Sequence, residues 1–96
     1  MNVNPDYVLL RVNGINFILA SAVPLPSTVK DDIEIVCRCA YEEDSPLLDV
    51  SDNLDYQSLI EMDSYDIAML IKSYADQKHG IALSFVPISM ELSVDK

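Results

Sequence analysis

Residues 7–20 read YVLLRVNGINFILA: two apolar, β-rich runs, Tyr7 to Val12 and Ile15 to Ala20, flank Asn13-Gly14. Asn-Gly supplies the adjacent positive-φ positions of a type I′ turn, whose twist matches that of the strands it joins. A two-residue loop sets the register, so Val12 faces Ile15, Leu10 faces Phe17 and Val8 faces Leu19. All three pairs fall on one side of the hairpin, as a buried face requires. The other side, with Tyr7, Leu9, Arg11, Asn16 and Ile18, is mixed. It offers itself for partial cover by a neighbour or a second copy of the chain.

Beyond the hairpin, Val23-Pro24-Leu25-Pro26-Ser27 is no central strand, because neither proline can donate to a ladder. It reads as an extended connector and is short for a Pro-rich ligand. From Asp31 to Tyr41 the chain alternates, with Ile33, Ile35, Cys37, Cys39 and Tyr41 against Glu34, Val36, Arg38 and Ala40. That period predicts a third strand. Cys37 and Cys39 would then share a face, badly placed to bridge each other, and serve as small buried apolar residues.

Asp63 or Ser64 caps a helix from Tyr65 to about His79, with Ile67, Leu70, Ile71, Tyr74 and Ala75 as its buried stripe. Asp63 and Asp66 suit its positive end, Lys78 its negative end, and Gly80 follows as the stop. Ile81, Leu83 and Phe85 alternate with Ala82, Ser84 and Val86 and predict a fourth strand. After Pro87 the alternation resumes at Ile88, Met90, Leu92 and Val94 with shifted parity, which predicts a bend into a fifth, edge strand. The expected architecture is one α+β domain over residues 1–96. It has a mostly antiparallel sheet of four to five strands with one main helix packed on it.

Between hairpin and helix lies the most unusual stretch, Tyr41 to Asp66. It carries nine of the sixteen carboxylates, Glu42, Glu43, Asp44, Asp49, Asp52, Asp55, Glu61, Asp63 and Asp66, and no Lys or Arg falls between Arg38 and Lys72. Leu47, Leu48, Val50, Leu54, Leu59, Ile60 and Met62 are spread through it as anchors. Ser45-Pro46 starts a turn, and Ser51 or Asp52 caps a short acidic helix reaching about Ile60. Asp31, Asp32, Glu34 and Asp76 would widen the acidic patch.

The net charge is −10, yet half the residues are hydrophobic and two are glycine, which is not the composition of a disordered acidic tail. Such a field repels nucleic acid and anionic lipid and attracts basic surfaces. No basic-then-apolar leader or membrane-length apolar run is present, so the cytoplasm is the simplest location. Catalytic signatures are scarce. Gly14 and Gly80 have turn and cap duties, and His79, the single histidine, sits where a helix dipole favours it. Asp44, Asp49, Asp52 and Asp55 are hard oxygen donors without the spacing or the glycine of a calcium loop. No enzyme, metal or cofactor is expected.

Repulsion among nine carboxylates opposes compaction, so their concentration in one segment points to binding. In size, charge and the Glu42 to Asp66 array the chain resembles the small acidic DNA-mimic proteins of bacteriophages. These inhibit uracil-DNA glycosylase, restriction enzymes or the histone-like nucleoid protein HU. The size, the β-rich body and the lack of enzyme motifs look most like the HU-inhibitor type. The mimics share neither a motif nor a fold. The resemblance implies a protein of the host bacterial cytoplasm that occupies the DNA-binding surface of HU and displaces DNA, as a dimer on a dimeric target. Two other readings fit the same residues: an immunity or antitoxin-like inhibitor of a basic nuclease or toxin, and a small assembly protein.

Overall fold

The computed structural model describes residues 6–86. Strands β1 (Asp6–Val12) and β2 (Ile15–Ser21) form the expected hairpin, with Asn13 at φ 52° and Gly14 at φ 79° in its turn. Val12 pairs with Ile15, Leu10 with Phe17 and Val8 with Leu19, as the loop length requires. Strand β3 (Leu83–Val86) pairs antiparallel with β2, giving a three-stranded sheet in the order β1-β2-β3. Helices α1 (Ser27–Arg38) and α3 (Ser64–His79) pack on one face, and α3 reaches all three strands. A 3₁₀ turn at Pro46–Asp49 and the short helix α2 (Tyr56–Ile60) lie between them. The class is α+β.

The predicted third strand, Asp31 to Tyr41, is corrected: most of it is the second half of α1. Its alternation concealed a helical stripe. Val29, Ile33, Val36 and Ala40 are spaced four, three and four apart and are all buried, while Ile35 is 55% exposed. A strand would have buried Ile33 and Ile35 together. Tertiary burial overrides the β preference of a segment rich in isoleucine and valine. The sheet therefore has three strands among the described residues instead of four to five, and it carries two long helices instead of one. The fifth strand expected at Ile88 to Val94 lies outside the described residues.

Other boundaries moved for local reasons. Pro26, extended at φ −59° and ψ 148°, precedes α1, and its carbonyl accepts from the amides of Val29 and Lys30. The short helix begins at Tyr56, later than expected, because Ser51 serves a turn: its carbonyl accepts from Leu54 and its hydroxyl from the Asn53 amide. Asp55 is the cap, accepting from the Ser58 amide at 2.8 Å. On α3 the Asp63 carboxylate accepts from the Asp66 amide at 2.9 Å. Left-handed Gly80, φ 66°, turns the chain out so that the amides of Gly80 and Ile81 close on Asp76 and Ala75. Ile81 is thus still engaged in the helix exit, and β3 starts at Leu83. Among the described residues no helix is long and apolar enough to cross a membrane.

Asp6 clamps the start of β1. It meets Lys30 of α1 at 2.8 Å and accepts from the amides of Leu25 and Tyr7. Those donors, the Lys30 ammonium foremost, lower its carboxyl to about 2. The Cys37 thiol donates to the Arg11 carbonyl at 3.5 Å near the other end of the strand. Both outer ends of this edge strand are thereby occupied.

Ile71 is wholly buried in the core and Leu70 only partly. Ile71→Ala should cost about 2–5 kcal/mol in urea unfolding and Leu70→Ala less than about 2 kcal/mol. Equal costs would contradict this rotation of α3. Asp6 has a lowered carboxyl, so its stabilisation is complete above the ordinary value of 3.8 and is lost as pH falls through about 2. Asp6→Asn should be less stable than the parent at pH 7, with the gap closing between pH 4 and pH 2; a constant gap would exclude the clamp.

Candidate functional site

All nine carboxylates of the segment are exposed, and none forms an ion pair among the described residues. The apolar residues between them hold the segment down. Leu47 and Leu59 are at 0% exposure in the core, with Leu48, Val50, Leu54 and Met62 packed against it; Ile60, expected as an anchor, is 40% exposed. The Gln77 side chain of α3 ties in the backbone by donating to the Val50 carbonyl at 3.1 Å.

Tyr41 is the local hub. Its hydroxyl donates to the Met62 carbonyl at 2.9 Å and accepts from the Asn13 side chain at 3.0 Å, joining the hairpin turn to the link between α2 and α3. Burial raises its phenol, and the charges of Asp63 and Asp66 push it the same way. The same ring lines a shallow hollow with Glu42, Glu43, Asp44 and Tyr56. Five of the nine acids are therefore brought into one neighbourhood around Tyr41. Asp55 and Glu61 flank α2, where Asp55 is fixed as a cap and Glu61 accepts from Gln57 at 3.1 Å. Their Cα atoms lie about 9 Å apart along the helix axis. Asp52 sits in the exposed turn after Ser51.

Asp49 belongs elsewhere. It borders a hollow of about 470 Å³ with Asp32, Pro46, Val50, Tyr74, Gln77 and Lys78. There one oxygen of Asp32 accepts from the Tyr74 hydroxyl at 2.7 Å and lies 2.8 Å from His79 Nε2. Burial works to raise the Asp32 carboxyl, but the bonds from His79 and Tyr74 outweigh it and leave it below the ordinary value. Tyr74 is pushed up to about 12 by burial and by the adjacent carboxylate. The sequence places His79 at a helix end but holds no sign of this bond, which links residues 47 positions apart. Asp32 is thus spent inside the fold and Glu34 pairs with Arg38 at 3.6 Å, so of the acids expected to widen the patch Asp31 and Asp76 stay free of both.

Cys37 and Cys39 are free thiols at the end of α1, each raised by burial. Among the described residues no three His, Cys, Asp or Glu side chains are grouped to hold a metal ion. The arrangement can attract and orient positive charge. Comparison with family models, with curated proteins and with solved structures finds no match to this chain.

Tyr41→Phe removes the hydroxyl that meets Asn13 and Met62. It should lower unfolding stability by about 1–2 kcal/mol. A change under about 0.5 kcal/mol would remove Tyr41 from this role.

Proposed function

We propose that the chain is a non-enzymatic acidic DNA mimic that binds the basic DNA-binding surface of a host protein and keeps DNA off it, with the nucleoid protein HU as first target. The observation that carries this reading is the set of nine exposed carboxylates that form no ion pair among the described residues. Duplex DNA carries one phosphate charge per about 1.7 Å of axis, at fixed positions. Imitation of that array demands carboxylates that do not wander, and Asp55 and Asp63 are held by the helix ends they cap. The burial of Leu47 and Leu59 beneath the segment serves the same end.

Binding follows from electrostatics. A net charge of −10 steers a basic partner towards the segment, and each contact replaces a loosely held counter-ion with a Lys or Arg. The association is fast and weakens steeply with salt, since the screening length is about 10 Å at 0.1 M.

A second reading has its own support. Tyr56 at 37%, Ile60 at 40% and Tyr65 at 55% exposure stand among the acids. Aromatic anchors in a charged rim suit one dedicated partner, such as a basic nuclease or toxin held by an immunity-type inhibitor.

Replacing Glu42→Gln, Glu43→Gln and Asp44→Asn together should weaken binding to purified HU about tenfold or more at low salt, leave circular dichroism unchanged, and matter less as salt rises. Affinity unaltered by the triple change would contradict the role of this cluster. Failure of the parent to displace DNA from HU at low salt would remove HU as target.

A further inference from the structure

The hollow of about 470 Å³ bordered by α1, the 3₁₀ turn and α3 holds opposite charges that do not meet. The carboxylates of Asp32 and Asp49 and the ammonium of Lys78 all line it, yet Lys78 forms no ion pair with either acid among the described residues. Asp32 spends only one oxygen on the fold: Oδ2 takes the bonds from Tyr74 at 2.7 Å and His79 at 2.8 Å. Its Oδ1 accepts from nothing among the described residues. Asp49 likewise has no ion pair there. One ammonium and two carboxylates with spare capacity thus share one concave surface.

The walls are tied in place. Two donors from α3 pin the Asp32 carboxylate of α1 and favour its ionised form. Gln77 holds the opposite wall to α3 through its bond to the Val50 carbonyl. Pro46 and Val50 add an apolar side. Groups fixed in advance lower the ordering cost of binding, and the volume lies within the roughly 300–1,000 Å³ of small-molecule sites. Charge then selects the occupant. A diamine would set its second ammonium against Lys78, and a dicarboxylate would face Asp32 and Asp49. A molecule carrying one charge of each sign uses all three groups.

We infer that this hollow binds a free aliphatic α-amino acid as its zwitterion. The ammonium lies between Asp32 Oδ1 and Asp49, the carboxylate meets Lys78, and the side chain rests on Pro46 and Val50. Tyr74 and His79 are positioning residues that act through Asp32. Lys78 and Asp49 are exposed, so their ion pairs are partly screened by water and the dissociation constant is about 0.1–5 mM. The site uses none of the acids around Tyr41 and needs no basic protein, so this inference stands or falls apart from the proposed function.

Titration of the full chain with L-leucine, followed by amide NMR at about pH 6.5 and low salt, tests it; the α-amino group is then charged. The amides of Val50, Gln77 and Lys78 should shift and saturate. Leucinamide keeps the ammonium without the carboxylate, as a peptide N-terminus does, and N-acetyl-leucine keeps the carboxylate without the ammonium. Each should bind about tenfold more weakly or worse. Asp49→Asn and Lys78→Gln, at exposed sites, should keep the circular dichroism of the parent and also lose about tenfold in affinity. Three results would overturn the inference: shifts that fail to saturate by about 20 mM leucine; either analogue binding as well as leucine, the mark of a plain cation or anion site; or both variants binding like the parent.

Discussion

Everything in this molecule depends on α3 lying across the whole sheet. Ile67, Ile71 and Ala75 are at 0% exposure in one core with Leu10, Leu19 and Leu83, and the same core takes in Ile33 of α1 and Leu47 and Leu59 of the acidic segment. This apolar burial opposes the mutual repulsion of a chain with net charge −10. It also decides where the charges go. Most acids of the segment sit beside a residue drawn inward, and all nine are turned to water.

The acids divide by use. Asp6 and Asp32 work inside the fold, each holding a cation or hydroxyl donors from another element. Asp55 and Asp63 satisfy helix amides while keeping their charge exposed. Glu42, Glu43 and Asp44 have no cap or ion-pair duty among the described residues and surround the hollow beside Tyr41. Charge without a structural duty has a stability cost and no structural return, which makes this group the natural centre of the proposed binding surface.

The two faces of the sheet differ. One face of the sheet is occupied by the helices and, through them, by the acidic layer. The other carries an apolar row and one arginine.

The residues alone determined what is local. The hairpin and its register follow from Asn13-Gly14, and the ends of α3 follow from Asp63 and Gly80, because a turn or a cap involves neighbours a few positions apart. Exposure of the nine acids was equally legible, since an unpaired charge stays in water. Only the tertiary structure decided that Asp31 to Arg38 is helical: its apolar residues fit both a two-residue and a 3.6-residue period, and contact with the sheet and α3 chose between them. Only the tertiary structure joined Tyr41 to Asn13 and Met62, or Asp32 to His79, across 21 to 47 positions. Sequence periodicity is a record of one element's faces, and it holds no information about which distant element each face will meet.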